Sequence, residues 1–435
     1  MDNKFVHWIM RVIYIILIVA ILALFSYQWV LRSIHGILED GGQIWDFTIF
    51  YTAGQIWNEG DLPYGSGGLS DRIAENEELF GYNGTNATVA YYPPQALFLF
   101  SLMAKNPIQT AYWILFILNI IILLISLCLL GWILSRYISI GLPEILLLSS
   151  FMITGMRTNI RFNQVSLIVL LPMLTMFILA GRNKKVSAGI ALGLTSLKPT
   201  FFPLFWVYYL FKRQYRIAVV SLITAGLATI GPLILTKRPL LGSLLAFLDT
   251  QKYHGQSDID SPSPFYPRSA TLHNLEALVY RIFNVESTLT LLLSWAIIGV
   301  IILFTFYLIS KNNSSSVVSL LDFSLISMLS LLMIYHRAYD SFLIFPAILS
   351  IYIYIQSIQK KTIKWLWIAG LVGIITVHVV PGDISMRFAE RYPVLLESYV
   401  FRVLAPIHIW VNLVVLVTLL WMKMQQLREG KMTDL

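Results

Sequence analysis

Residues 113–134 read WILFILNIIILLISLCLLGWIL, an apolar run without a single charged side chain. A helix of about 20 such residues is long enough to cross the hydrocarbon core of a bilayer. The run contains Cys128, the only cysteine of the chain. A lone cysteine excludes an intrachain disulfide and a cysteine-based metal site, and we interpret Cys128 as a small packing residue.

Similar apolar runs recur along the whole chain, which is 57% hydrophobic and only 12% charged. A soluble protein of 435 residues would need far more polar surface. The first run is too long for a signal peptide and lacks its cleavage site, so we interpret it as a retained span. We therefore predict an all-α polytopic membrane protein, one domain over residues 1–435, with about ten full transmembrane helices, at residues 13–30, 113–134, 142–156, 165–180, 218–236, 289–309, 317–334, 342–354, 366–380 and 405–422.

The net charge of +8 is a topology signal. Basic clusters such as Arg182 to Lys185, and Lys212 with Arg213, mark short loops that we assign to the cytoplasm, together with both termini. Three long segments, residues 31–109, 237–287 and 381–402, then lie on the outer side, where we expect the active site. Because the excess charge follows the membrane sides, we do not expect nucleic-acid binding.

Residues 187–211 do not fit as a further span. Basic cytoplasmic clusters flank both ends, and Lys198-Pro199 interrupts the middle. We predict a re-entrant pair of half-helices, with the break beside a polar cavity, because irregular backbone at membrane depth is tolerated only where it is buried or lines a cavity.

The first outer segment is predicted to hold short interfacial helices. One runs from Asp46 to Gly60, and its aromatic residues recur at helical spacing, which favours a lipid-facing side; they are Phe47, Phe50, Tyr51 and Trp57. A second begins at Tyr92-Pro93-Pro94 and ends near Ala104, with proline in its first turn.

Lys198 is the strongest candidate inside the membrane, since ionisable residues there are expensive and usually functional. Its ammonium suits a phosphate contact. The alternatives are a lysine that reaches an interface and one that is paired with a buried acid, for which Asp322 is the obvious choice.

Asp46 lies just past the outer end of the first span. A base at this position would serve a transfer between a lipid-carried donor and a water-soluble acceptor. The alternative is a helix N-cap, a role that aspartate often takes. No second carboxylate has a fixed spacing to Asp46, so a paired-carboxylate glycosidase is not indicated, although the fold could bring Asp340 or Glu276 close.

Two short outer junctions carry further polar residues. Residues 155–164 read GMRTNIRFNQ, and Arg161, Asn163 and Gln164 there suit either phosphate and sugar hydroxyls or lipid headgroups. Residues 335–340 read YHRAYD, in which His336 suits donation to a phosphate leaving group, proton transfer or capping of helix ends.

No phosphate-binding glycine motif, dinucleotide motif or zinc-ligand spacing occurs in the chain. If the protein transfers sugars, the donor should therefore be lipid-linked. A lipid or glycolipid transporter or flippase would explain the broken segment 187–211, but it predicts internal repeats that the sequence does not show. A glycan polymerase or ligase that uses a diphosphate-linked donor would favour more arginines near the outer span ends.

Several motifs in order resemble glycosyltransferase family 87. The amino-terminal ones are Asp46-Phe47, Tyr51 to Gly54, and Gly60, Leu62 and Tyr64, followed by Tyr92-Pro93-Pro94 before a short apolar helix. The resemblance continues through Asn163-Gln164, Gly189 to Gly193 with Lys198-Pro199, and Tyr335-His336 with Tyr339-Asp340.

The resemblance implies a GT-C fold and inverting transfer of a sugar, usually mannose, from a polyprenyl-phosphate donor to an envelope glycan or glycolipid. Asp46 would be the general base, and the donor phosphate would bind to Lys198, Arg161 and His336. The resemblance requires no metal or other cofactor. A prenyl-lipid donor and outward loops indicate a bacterial plasma membrane as the location. Further substrate contacts are predicted at Tyr51, Tyr92, Asn163, Gln164, Arg268, His273, Tyr339 and Asp340.

Overall fold

The computed structural model describes residues 45–64, 69–79, 90–141, 143–145, 147–148, 158–160, 162–251, 272–285, 287–311, 319–333, 336–379, 391–392, 394 and 398–429. These residues are predominantly helical, and an isolated antiparallel bridge joins Leu272 to Arg337. The longer helices are α1 (Trp45–Asn58), α2 (Leu69–Leu79), α3 (Pro94–Met103), α4 (Ile108–Ser135), α5 (Ser166–Gly181), α6 (Lys185–Leu194), α7 (Pro203–Phe211), α8 (Tyr215–Leu235), α9 (Leu240–Thr250), α10 (Leu275–Phe283), α11 (Thr288–Lys311), α12 (Leu320–Met333), α13 (Phe345–Ser357), α14 (Lys361–Val379), α15 (Tyr399–Leu404) and α16 (Ile407–Glu429).

The predicted all-α class with several apolar membrane helices is confirmed. Among the described residues, five helices are long and apolar enough to cross a bilayer: Ile108–Ser135, Tyr215–Leu235, Thr288–Lys311, Tyr339–Ser357 and Ile407–Arg428. The count of ten spans, the GT-C topology and the outer and inner assignments stay predictions. The predicted span 13–30 lies outside the described residues, as does most of 142–156.

Helix α12 forms the centre of the bundle. Every side chain from Leu320 to Met333 is buried, against α13, α16, α7 and the 3-10 segment Ala338–Ile344. An apolar helix that is buried all round belongs to a protein core rather than to a lipid-facing surface. The 3-10 segment follows shortly after α12 and carries site residues, so this central helix fixes their position.

Short turns join α5 to α6 and α7 to α8. Asn183 and Arg213 take left-handed backbone angles (φ 58° and 56°) and end α5 and α7, as residues just past a helix end often do. The break between α6 and α7 lies at Lys198, whose extended backbone (φ −123°, ψ 100°) is the conformation that a following proline favours. That this pair re-enters the membrane, and the division of the chain that goes with it, stay predictions.

Two glycines bring α6 and α8 into close contact. A methyl group on Gly189 would lie 2.7 Å from the Cβ atom of Val220 and 2.8 Å from the carbonyl oxygen of Ile217. A methyl group on Gly193 would lie 2.7 Å from the carbonyl oxygen of Ser221. The spacing of four residues lets the two backbones approach, as small residues do between membrane helices.

The prediction that the aromatic face of α1 meets lipid is wrong. Phe47, Phe50 and Trp57 are only 1%, 2% and 2% exposed, and Tyr51 is buried with them. Helices α2, α3 and α4 pack against α1 and cover these rings. A helical repeat of aromatic residues fits a protein core as well as a lipid surface, and here the neighbouring short helices decide between the two.

Arg238, just after α8, holds the far end of α1. Its guanidinium lies 4.3 Å from the centre of the Trp57 ring and donates to the carbonyl oxygens of Gly60 (2.7 Å) and Trp57. Gly60 has φ 99° and terminates the helix. Helix α1 is therefore held both along its aromatic face and at its far end, and this fixes the position of its first turn.

Candidate active site

The first turn of α1 presents Asp46, whose side chain is half-buried. A carboxylate in the first turn of a helix is stabilised by the helix dipole. The carboxylate accepts a hydrogen bond from Nε2 of Gln164, which is fully buried just before α5. Asp46 thus lies inside the first turn and also contacts the polar segment that leads into a second helix.

The backbone that carries Gln164 is held by amide groups. Asn163 has a left-handed backbone (φ 50°). Its Nδ2 donates to the carbonyl oxygen of Tyr112 at 2.9 Å, and its Oδ1 accepts from Nδ2 of Asn119 at 2.9 Å. Both amides are buried, so these bonds fix the turn that precedes α5.

Lys198, at the break between α6 and α7, makes a buried ion pair with Asp340. Its Nζ lies 2.6 Å from Oδ1 and 2.7 Å from Oδ2 of Asp340, and it donates to Oγ of Ser166 at 2.8 Å. It also lies 4.5 Å from the centre of the Tyr339 ring. Asp46 contacts Gln164, two residues before Ser166, so both acids lie near the start of α5.

The buried acid that pairs with Lys198 is not Asp322, which the alternative interpretation of Lys198 had named. Asp322 instead lies 2.7 Å from Nζ of Lys423 and 3.5 Å from Nζ of Lys212. It lies at the start of α12, whereas Asp340 follows the end of that helix. Lys198 therefore pairs with Asp340, the acid that follows the end of α12.

His336 shares the same carboxylate. Its Nδ1 lies 2.8 Å from Oδ2 of Asp340, and Oγ of Ser166 donates to Oδ1 at 2.8 Å. Nε2 of His336 is buried and has no hydrogen-bond partner among the described residues. Burial lowers the pKa of the His336 ring, and the charge of Asp340 opposes that shift.

A family model now gives this arrangement a context. The model of glycosyltransferase family 87 matches residues 90–334, more than half of the 435-residue chain. The chain belongs to glycosyltransferase family 87. The suspected family is thereby confirmed, and with it the general activity of a glycosyltransferase. No curated protein and no solved structure matches the chain.

The match divides the candidate site of this family 87 glycosyltransferase. Gln164, Ser166 and Lys198 lie inside the matched residues, whereas Asp46 and the segment with His336 and Asp340 lie outside them. The hydrogen bond between Gln164 and Asp46, and the ion pair between Lys198 and Asp340, connect the two parts.

The proposed substrate residues fall into different surroundings. The hydroxyl of Tyr51 donates to the carbonyl oxygen of Asn106 at 2.8 Å, and the Asn163 amide is engaged in the turn described above, so both support the fold. Tyr92 is half-buried, with its ring centre 4.8 Å from that of Phe50 in an edge contact. The carbonyl oxygen of Tyr339 accepts from Nδ2 of Asn159. The predicted contacts Arg161 and Arg268 lie outside the described residues.

His273 lies behind the site. Its backbone N–H donates to the carbonyl oxygen of His336 at 3.0 Å, and its ring lies 5.2 Å from that of His408 and 6.2 Å from that of His378. No group of histidine, cysteine and acidic residues in the described part of the chain has the arrangement of a metal site. His273 supports the backbone of His336 through its own N–H.

Sequence reasoning missed Ser166 and Gln95. Ser166 lies between Lys198 and Asp340, and Nε2 of Gln95 donates to the carbonyl oxygen of Ser196 at 2.9 Å, which ties α3 to the turn before Lys198. Ser166 has no distinct signal in the sequence, because serine is common at the start of an apolar helix.

Proposed function

We propose that this glycosyltransferase is an inverting enzyme that transfers mannose from a polyprenyl-phosphate donor to an envelope glycan or glycolipid. In this proposal the reaction takes place at the outer face of a bacterial plasma membrane. The observation that carries the proposal is that Gln164 and Ser166, two residues apart at the start of α5, contact an acid and a buried cation, Asp46 and Lys198. Family membership supports a sugar transfer, and the apolar helices support a lipid-borne substrate.

Asp46 is the proposed base. Its carboxylate takes the proton of the acceptor hydroxyl while the hydroxyl oxygen attacks the anomeric carbon of the donor sugar. The bond between that carbon and the phosphate oxygen breaks, and polyprenyl phosphate leaves with the bonding electrons. Attack from the face opposite to the phosphate inverts the anomeric centre.

The departing phosphate gains negative charge, which preorganised donors stabilise. Lys198 and His336 are the described candidates, and Arg161 completes the proposed set. Phosphate is a good leaving group, so the proposal needs no metal ion. The half-buried rings of Tyr92 and Tyr339 are proposed to contact the substrates.

The test is turnover by purified protein in lipid, with labelled polyprenyl-phosphate-mannose and an envelope lipid extract. We expect a labelled glycolipid or glycan whose new linkage has the opposite anomeric configuration to the donor. Transfer only from a diphosphate-linked donor, or a product of retained configuration, would contradict the proposal.

Asp46→Asn tests the role of the base. We expect turnover to fall by about 10³-fold, since general-base catalysis contributes in this range, while protein level and donor binding persist. Asp61→Asn is the matched control, because Asp61 is an exposed acid just past the end of the same helix. Normal turnover by Asp46→Asn would remove Asp46 from the mechanism.

A further inference from the structure

The carboxylate of Asp340 is enclosed by donors. It is 1% exposed and interacts with Lys198 through both oxygens, with Ser166 through Oδ1 and with His336 through Oδ2. A carboxylate offers about four acceptor positions, so these contacts leave little room for a sugar hydroxyl. The sequence suggested that Asp340 contacts the substrate. A residue in that role would need free acceptor positions, which Asp340 lacks.

We infer that Asp340 is a positioning residue, which neutralises Lys198 and orients His336 so that Nε2 of His336 donates to the leaving phosphate. The inference rests on the proposed function and specifies how its phosphate site is charged. According to this inference, the leaving phosphate contacts His336 and not Lys198.

The hydrogen bonds of Ser166 fix the arrangement. Its hydroxyl has one hydrogen, which goes to Oδ1 of Asp340 at 2.8 Å, and its oxygen accepts from Nζ of Lys198 at 2.8 Å. Lys198 has three N–H groups, and the two carboxylate oxygens and this hydroxyl provide three acceptors. The ammonium is therefore saturated within the protein.

The same carboxylate sets the orientation of the histidine ring. Nδ1 of His336 faces Oδ2 of Asp340 at 2.8 Å, so Nε2 points to the opposite side of the ring. The ring of Phe201 packs against His336 in an edge contact with centres 5.1 Å apart, and the carbonyl oxygen of His336 accepts from the N–H of His273. With the ring held at these points, buried Nε2 is its polar atom without a partner among the described residues.

The charges of Lys198, Asp340 and His336 together predict how donor binding depends on pH. Lys198 and Asp340 cancel, so protonation of His336 adds a positive charge to this group of residues. A protonated ring between Asp340 and a phosphate anion is stabilised on both sides. Among the titratable groups, Asp340 contacts Nδ1 of His336, Lys198 shares the same carboxylate, and His273 is bonded to the backbone of His336. Donor binding should therefore weaken as the pH rises and His336 loses its proton.

The experiment compares the pH dependence of kcat and KM for the polyprenyl-phosphate sugar in Asp340→Asn, Ser166→Ala and wild-type protein. For Asp340→Asn we expect kcat to fall by about 100-fold and the alkaline limb of the profile to move to lower pH, because the amide supports the protonated ring less well. For Ser166→Ala, which removes one hydroxyl, we expect a loss of about fivefold.

Asp322→Asn is the control, because Asp322 is an equally buried acid with lysine partners at the other end of α12. Its specific activity and pH profile should match the wild type. An Asp340→Asn variant with a wild-type alkaline limb, and activity reduced only in proportion to folded protein, would overturn the inference. A change confined to KM for the acceptor would also overturn it and restore a substrate contact.

A binding measurement separates this inference from the proposed function. Thermal stabilisation of the purified protein by polyprenyl phosphate should decrease as pH rises in the wild type, and it should be lost at lower pH in Asp340→Asn. A wild-type protein that shows this stabilisation but no turnover would refute the proposed donor and still support the role of Asp340. Equal, pH-independent stabilisation of both proteins would refute the role of Asp340.

Discussion

Two buried aspartates mark the two ends of α12. Asp340 and Asp322 are each 1% exposed, and each pairs with lysine. Asp322 lies in the first turn of the helix and Asp340 follows its end, and the helix extends roughly 16 Å from Asp322 to Met333 at a rise of about 1.5 Å per residue. By composition alone, both are buried ion pairs among apolar helices, where charged residues often indicate function.

Their surroundings differ. Asp322 meets two lysines, Lys423 and Lys212, and the hydroxyl of Tyr208 at 3.4 Å. Asp340 meets one lysine, a serine and a histidine, and the histidine keeps a buried nitrogen without a partner in the described part of the chain. A buried ion pair by itself therefore indicates only that the chain has satisfied a charge. The open ring nitrogen and the nearby Asp46 distinguish a candidate site from a structural cluster.

The largest expected effect on stability comes from removing a lysine that pairs with one of the two buried aspartates. Lys198→Ala and Lys423→Ala each remove a close partner of a buried carboxylate, and the free energy of unfolding should fall by about 3 to 5 kcal/mol for Lys198→Ala. Lys212 still faces Asp322, so Lys423→Ala should cost less. Thermal unfolding of the purified variants measures both changes.

A double variant tests the cause of that loss. Adding Asp340→Asn to Lys198→Ala removes the uncompensated charge and should recover part of the lost stability. A double variant that is less stable than Lys198→Ala would show that the ion pair is not the source of the effect.

Lys198 lies at the break between α6 and α7, so the packing of α6 should matter next. Gly193→Ala places a methyl group against the backbone of Ser221, and overpacking costs about 1 to 3 kcal/mol. We expect lower stability and a lower kcat, since α6 and with it Lys198 must shift. Gly226→Ala on α8, where nothing lies within 4 Å of the added group, should be neutral. Equal behaviour of the two variants would contradict the close contact.

Gln164→Glu places a second carboxylate beside Asp46. Two acids that share a site cannot both ionise readily, so the pKa of Asp46 should rise in this variant. The base then stays protonated to a higher pH, and the acidic limb of the pH–rate profile should move upward, with roughly a tenfold loss of kcat at neutral pH. Gln164→Ala is the control for the lost amide. An unmoved acidic limb in Gln164→Glu would separate Gln164 from the base.

The smallest effect is expected at the cluster around Asp322. Tyr208→Phe removes a hydroxyl that contacts Asp322 at 3.4 Å, a long hydrogen bond. Stability should change by less than about 1 kcal/mol, and turnover should not change. A large loss of turnover would show that the Asp322 cluster contributes to catalysis and would remove the distinction between the two ends of α12.

Charge at unusual positions made part of the site predictable. Asp46, Lys198 and His336 stand out because polar residues at or inside membrane spans are rare, and the structure brings Lys198 and His336 onto one carboxylate. The pairing itself was not predictable, because Lys198 and Asp340 are 142 positions apart in the chain. Asp322 was also a possible partner for Lys198, and only the fold shows that it pairs with other lysines.

Other features left no distinct signal. Ser166 opens an apolar helix, where serine is common and a hydrogen bond to a distant acid has no local pattern. The rings of α1 recur with the helical period, which is the same for a core and for a lipid surface. Only the packing of α3 on α1 shows that Phe50 and Trp57 face protein.

The neutral pair of Lys198 and Asp340 bears on selectivity among lipids. Ordinary phospholipids also carry phosphate, and they greatly outnumber any polyprenyl donor. An unpaired ammonium at membrane depth would attract every such headgroup. A lysine whose charge is already cancelled by a buried acid offers them no net attraction, so the site would remain available to the proposed polyprenyl-phosphate donor.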